Sequence, residues 1–404
     1  MRRVQKVAII GAGMGGLALA NALKARNIDV KIHEQAEELT QVGAGIQLTP
    51  NAVKVLRGLG LDHRLKEFGF VPQAIMGLDG RSGKTVFRTP LAGACEELYD
   101  APYVHIHRGD LQTILRDPLL DSMISLGKHC VDVRNESDCA VAAFSDGSSI
   151  EADLIVGADG IRSAARKSLF GADAPRFTNN ICWRSVVPFE NGPDYDLVGP
   201  YNSIWFGPNG HVVTYYVRGG KAVNIIACLE STDWQEESWH VRSTKEELAN
   251  AYDGWHPKLQ KIFARADEVY KWGLFDRDPM ESWTRDRVTL LGDAAHPMLP
   301  YLSQGAAMAM EDALVLARMV GQQQDDLDAA LRAYETIRIP RATRVQLSSR
   351  EQGKKNHLTS PVARFVRDVE YRIRNLINPQ ASGLKAGWVY EYDAGSVGEP
   401  VPAL

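Results

Sequence analysis

Lys6–Gln35 reads KVAIIGAGMGGLALANALKARNIDVKIHEQ, and its pattern is strand, tight turn, helix, strand. Val7 to Ile10 is a short apolar run of the kind that fills a buried strand. Gly11, Gly13 and Gly16 follow as G-x-G-x-x-G. In such a turn the first glycine permits the sharp bend and the second lets the backbone approach a pyrophosphate. The third lets the helix lie against the strand. The helix start points unpaired N–H groups at phosphate. Leu17, Ala20 and Leu23 continue the helix as a buried stripe, and Asp29 to Ile32 is the next strand. Glu34 ends that strand 23 positions after Gly11, where an acidic side chain accepts hydrogen bonds from a ribose. Glycines, strand, helix and terminal acid together predict a dinucleotide site and an α/β fold. They do not choose between NAD and FAD.

Composition narrows the class. The chain has 404 residues, 45% of them hydrophobic, enough for one large core or two moderate ones. With 46 basic and 50 acidic residues the net charge is −4, which argues against nucleic acid as a main partner. Cys95, Cys130, Cys139, Cys182 and Cys228 are scattered without a CxxC pair; this predicts a reducing, cytoplasmic setting and no metal site. The basic, apolar start imitates a signal peptide, but the glycine spacing explains it better. No later stretch reaches the ~20 apolar residues of a membrane span, so no membrane partner is expected.

Two later segments resolve the cofactor. DLIVGADGIRSAARKSLFG, from Asp153, follows a strand at Leu154–Val156 with Asp159-Gly160, and Arg162 is expected to open a helix. GDAAHPMLPYLSQGAAMAMED, Gly292–Asp312, follows another apolar run. With the N-terminal glycines these three motifs, in this order, resemble the single-component (class A) flavoprotein aromatic hydroxylases, the group with the para-hydroxybenzoate-hydroxylase-like fold. The resemblance extends over nearly the whole chain and is weakest after about residue 350.

That resemblance implies a Rossmann-like FAD-binding domain, a β-sheet substrate domain and a C-terminal helical segment. The FAD-binding domain takes segments 1–75, 101–178 and 285–350; the substrate domain takes 76–100 and 179–284; the helical segment is 351–404. Residues 185–231 alternate β-rich runs with Gly, Pro and Asn turns and read as an antiparallel meander. Non-covalent FAD is the implied cofactor, with NADH or NADPH as co-substrate meeting the Asp159–Arg162 region. Asp293 is expected to accept from the ribityl hydroxyls. Ala294 and Ala295 would give the cofactor room. Gly305 would start a helix whose positive end faces the flavin. Gly43 and Gly45 would run backbone against a flavin face, and Arg108 would sit near the ribose and pyrophosphate, its plain alternative being a surface pair with Asp110.

The substrate side is read from GHVVTYY. His211 and Tyr215 are four apart on one strand, so they share a face with Val213. Hydroxylases acting on 3-hydroxybenzoate and on 6-hydroxynicotinate carry the same H-x-x-x-Y pair. His211 can accept a phenol proton and Tyr215 can donate to a carboxylate or phenolate. Gln47 and Tyr301 are the further substrate-binding candidates, in a pattern nearest the 3-hydroxybenzoate 6-hydroxylases, with overlap to salicylate enzymes. His296 is expected to support its loop. The basic helix PVARFVRDVEYRIRNLI is expected to pack on the domain with its charges in solvent. The implied reaction is NAD(P)H-consuming hydroxylation of a hydroxylated aromatic carboxylate by O2 through a flavin hydroperoxide. A flavin oxidoreductase that inserts no oxygen shares every FAD motif and stands as the alternative. The assembly considered is a homodimer.

Overall fold

The computed structural model describes residues 4–39, 43–232, 241–377 and 386–397. A six-stranded sheet runs Thr284–Arg285, Val288–Leu290, Leu154–Gly157, Lys6–Ile10, Asp29–His33, Ile124–Ser125. Its inner strands are parallel, pairing Val7 with Leu154 and with Val30. Parallel strands need covered faces, and the apolar runs supply them: Val7, Ile9, Leu154 and Ile155 are fully buried. The helix Met14–Lys24 is buried from Met14 through Leu23, so it is enclosed on every side rather than along one stripe. The long helix Gly305–Gln322 covers it. The approach is close: a Cβ at Gly16 would stand 2.1 Å from the Gly11 carbonyl oxygen.

An eight-stranded sheet has the order Arg242–Ser243, Val269–Asp276, Arg176–Pro188, Ala222–Glu230, Gly210–Val217, Asn202–Gly207, Ala74–Asp79, Thr85–Pro90. The expected meander is present from Asn202 to Glu230 as antiparallel neighbours. It does not extend as read, because Arg176–Pro188 skips to pair with Ala222–Glu230 and Asn202–Gly207 pairs parallel with Ala74–Asp79. The short turns were legible; the crossovers that reorder strands carry no local signal. A two-stranded ribbon, Gly45–Leu48 with Val104–His107, stands between the two large sheets, with Gly45 bonded to Asn224 of the eight-stranded one.

The C-terminal helix Pro361–Ile377 forms as expected but turned over. Arg367 and Tyr371 are its buried residues, and the Arg367 guanidinium lies 4.5 Å from the centre of the Phe206 ring. Its apolar side faces water, with Phe365 66% and Leu376 81% exposed. Periodicity shows that a helix has two faces; it does not show which face finds an aromatic shelf to cover. Of the expected 351–404 segment, residues 378–385 and 398–404 lie outside the described residues. No helix among the described residues is long and apolar enough to cross a membrane.

Candidate active site

The glycine turn is built by strand Lys6–Ile10 running into helix Met14–Lys24. Gly11 takes φ +106°, a conformation that favours glycine. Gly13 is the N-cap of the helix, with no side-chain cap and nothing within 4 Å of where its Cβ would be. The turn therefore presents helix N–H groups to open space. Glu34 closes it from the next strand: Oε2 accepts from Ala12 N at 2.7 Å and Oε1 from Ala36 N at 2.9 Å. Each oxygen keeps a second lone pair for a ligand. Asp159 reaches the same turn, its Cα 3.2 Å from a Gly11 Cβ position. Its Oδ2 accepts from Ala165 N at 3.2 Å, while Oδ1 is enclosed with no partner. Burial raises its carboxyl above the usual value. The helix beyond it runs Ala164–Phe170 and is capped by Ser163, so Arg162 precedes the helix instead of opening it. Serine won because its hydroxyl accepts from Arg166 N.

The Gly292–Asp312 segment is tied into a loop by its own last residue. Asp312 Oδ2 accepts from Gly292 N at 3.0 Å and meets His296 Nε2 at 2.5 Å, while Oδ1 accepts from Arg338 at 2.7 Å. Arg338 also donates to Glu311 at 2.7 Å, and Arg341 donates to the same carboxylate. His296 thus supports its loop, as read. Despite burial, the opposite charges of His296 and Arg338 and their hydrogen bonds hold the Asp312 carboxyl down at about 2. This ionic cluster holds the loop rigid, since each buried charge depends on its partners. Ala294 and Ala295 do not line the cleft: both are fully buried, and Arg166 donates to their carbonyls at 3.2 Å. The side chain that does face the cleft is Asp293. It is open to solvent there, yet surrounding protein raises its carboxyl, against the pull of His296 and Arg108. Its Oδ1 stands 4.0 Å from a Gly305 Cβ position. Gly305 begins the helix as expected, and that helix start also has no side-chain cap.

Arg108 is the first residue of helix Arg108–Arg116 and is exposed, with no ion pair to Asp110 among the described residues. Its stem passes 2.8 Å from a Gly43 Cβ position, so Gly43 makes room for Arg108. Gly45 likewise makes room for protein: a Cβ there would meet Tyr215 at 2.6 Å and Asn224 at 2.8 Å. Protein therefore fills the side-chain direction at both glycines, and a flavin would meet only their backbone.

His211 and Tyr215 lie on strand Gly210–Val217 with their side chains on one face, but in different surroundings. Four residues span roughly 13 Å of strand. His211 Nδ1 is 2.8 Å from His357 Nε2, and its ring centre is 5.6 Å from that of Tyr301. The Tyr301 hydroxyl is buried without a partner. Burial, then His357, lowers the affinity of His211 for a second proton, and burial lowers His357 to about 4. Both rings are neutral. Tyr215 instead packs on His105, ring centres 4.3 Å apart, and shares a hydrogen bond with Gln47. Gln47 Oε1 also accepts from Tyr103 at 2.5 Å and Asn202 at 2.9 Å. The structure therefore groups His211 with Tyr301, and Tyr215 with Gln47 and Gly45.

Sequence reading missed three residues on this face. Asn224 Oδ1 accepts from Gly45 N at 2.6 Å. Arg184 stacks 4.9 Å over Trp272, and its guanidinium is lowered to about 10 by burial and then by Arg108. Both are polar residues inside largely apolar strand runs, CWRSVV for Arg184 and AVNIIA for Asn224, and that interruption was a usable signal. His357, just past the end of helix Leu327–Asn356, had none.

The buried histidines predict a pH response. Burial lowers His33 to about 4, His105 to about 3 and His107 to about 4. Below about 6.5 the unfolded chain binds protons that these folded sites refuse, so stability falls as pH drops from there toward 4. Each histidine contributes a loss of about 1.4 kcal/mol per pH unit in that window. Melting temperature should be level above about pH 7 and decline below about 6.5. A flat profile across that range would contradict neutral burial.

FAD fits these residues on the structure's own terms. The Gly13 cradle is open, both facing helix starts are uncapped, and Asp159 Oδ1 is enclosed without a partner. Gly11, Gly13, Gly16 and Glu34 would hold the adenosine and pyrophosphate end, with Arg108, Asp159, Asp293 and Gly305 along the rest. Comparison with known proteins points to the same cofactor. The family model described as FAD binding domain matches residues 4–349. A 3-amino-4-hydroxybenzoate 2-monooxygenase of Streptomyces platensis is 38% identical over 97% of both chains. A 3-hydroxybenzoate 6-hydroxylase of Klebsiella oxytoca is 36% identical over 93% of both. The crystal structure of Klebsiella pneumoniae HpxO with FAD and uric acid superposes with a TM-score of 0.85, at 28% identity, over 95% of this chain and 98% of that one.

Proposed function

The chain belongs to the FAD binding domain family, and from that premise we propose an NAD(P)H-consuming flavoprotein monooxygenase that hydroxylates a hydroxylated aromatic carboxylate. Bound flavin supplies hydride acceptance and O2 activation; the residues here supply position, dryness and proton transfer. The observation that carries the reading is a buried histidine, His211, beside the orphaned hydroxyl of Tyr301, on the sheet face that packs against the Leu299–Tyr301 end of the Asp293 loop. His211 accepts the phenol proton, since its bond to His357 uses Nδ1 and leaves Nε2 for a ligand. Loss of that proton makes the ring electron-rich. Tyr301 hydrogen-bonds the substrate. Arg184, with Arg108 nearby, attracts the carboxylate. Tyr215 and Gln47, hydrogen-bonded to each other, form the opposite wall. Relatives named as monooxygenases on hydroxybenzoates favour oxygen insertion over simple substrate oxidation. A cytoplasmic setting fits the five free cysteines.

The test is a panel of hydroxybenzoates, amino-hydroxybenzoates and hydroxynicotinates, scored for stimulated NADH or NADPH oxidation, O2 uptake and product. At least one compound is expected to yield a product heavier by one oxygen atom. Stimulated oxidation with an oxidised, oxygen-free product would establish the simple oxidoreductase instead.

A further inference from the structure

Resting on the hydroxylase reading above, we propose that His357 and Glu230 form a proton relay connecting His211 with the protein surface. His357 Nε2 is 2.8 Å from His211 Nδ1, and on the other side of the ring Nδ1 is 3.9 Å from Glu230 Oε1. The His357 side chain is 3% exposed and that of Glu230 is 47% exposed, so the three residues run from interior to solvent. A gap of 3.9 Å is too long for a direct hydrogen bond and suits one bridging water. Histidine is the side chain with a separate nitrogen on each side, able to take a proton at one and release another at the other. Tyr301 packs its ring against both imidazoles, at 5.6 and 5.5 Å, and excludes water between them.

The step balances without a buried charge on either ring. The phenol O–H breaks and its proton goes to His211 Nε2. His211 Nδ1–H passes its proton to His357 Nε2, and His357 Nδ1–H passes its own to the bridging water and Glu230. Both imidazoles end neutral with their tautomers exchanged, and no electrons move. The reverse sequence restores the phenol after the ring is hydroxylated. A lone His211 would instead have to hold an imidazolium where burial opposes it. His357 and Glu230 act through His211 and are positioning residues.

The experiment mixes oxidised FAD-loaded enzyme with the hydroxybenzoate of highest product yield in the panel above. The solution is weakly buffered and holds a pH-indicator dye, so proton release is followed in stopped flow. His357→Gln keeps a hydrogen-bonding partner for His211 but cannot exchange tautomers. It is expected to release the proton about 10²-fold more slowly, with substrate dissociation constant within about twofold of wild type. Glu230→Gln, a surface change that leaves folding intact, is expected to slow release too, with added imidazole buffer restoring the rate. Wild-type release from His357→Gln, or slow release from His357→Phe that glutamine repairs, would overturn the relay and leave His357 a structural partner. Wild-type release from Glu230→Gln would overturn the surface exit. If no panel compound gives product in wild type, the hydroxylase reading itself fails, and that result is separate from any variant.

Discussion

His211→Ala is expected to purify with a full complement of FAD and to be reduced by NADH, while hydroxylated product falls by roughly 10²–10⁴. The electrons that no longer reach product should appear as hydrogen peroxide. The expectation follows from where the residue stands. His211 touches none of the residues that frame the glycine turn or the Asp293 carboxylate; its bond is to His357 and its ring neighbour is Tyr301. Removing it takes away the group that ionises the phenol, so the ring stays electron-poor and oxygen activation is wasted. It also leaves His357 without its partner, a cost of about 1–3 kcal/mol in stability. His211→Gln separates the two effects, because an amide keeps the bond but cannot accept the proton. Product per NADH consumed, peroxide yield and melting temperature are the measurements. A His211→Ala enzyme that hydroxylates at the wild-type rate without extra peroxide would return this histidine to a purely structural place and leave the base unassigned.

How much of this was legible in the sequence depends on the range over which each feature is encoded. The turn around Gly11–Gly16 and the acid at Glu34 were readable because strand, bend and helix start follow one another and each has a local steric reason. The Asp293 loop was readable for the same reason, with an apolar run before it and a glycine-started helix after it. Its anchoring was not. Glu311 and Asp312 sit in an apolar helix, and nothing local marks them as buried; both are enclosed because Arg338 and Arg341 arrive from another helix. Gln47 stood out as a substrate-binding candidate; that its amide is committed to Tyr103 and Asn202 was not visible, since those contacts span 56 and 155 positions of chain. His211 and Tyr215 were paired by strand period, which gives the face and not the distance at which two residues cease to share a neighbourhood. The Pro361–Ile377 helix shows the same limit: amphipathicity was visible, and the direction of the faces was decided by Phe206 and Phe87, far away in sequence.

Two glycines three positions apart should fail in opposite ways. Gly13→Val is expected to give a folded protein that does not retain FAD. A side chain there meets nothing within 4 Å, and its backbone, extended at φ −69°, suits any residue. The only thing it obstructs is the space in front of the helix start, where a pyrophosphate must come within hydrogen-bond reach of N–H groups. Losing two charge-assisted bonds costs about 3–6 kcal/mol, a rise of roughly 10²–10⁴ in the FAD dissociation constant. Gly16→Val is expected to fail earlier. Its Cβ would lie 2.1 Å from the Gly11 carbonyl oxygen in the turn and 3.3 Å from Ile9 Cγ2 on the strand against which the helix rests. Neither is the far end of a flexible side chain, so the helix must leave the sheet, and Leu17 and Leu19 lose their burial with it. Overpacking of this kind costs typically 1–3 kcal/mol and more when backbone is the obstacle. Circular dichroism, melting temperature and flavin absorbance of the two purified proteins distinguish the outcomes. A Gly13→Val protein that stays yellow through dialysis would mean that the cofactor does not approach the backbone at this turn, and the dinucleotide reading of Lys6–Gln35 would fall with it.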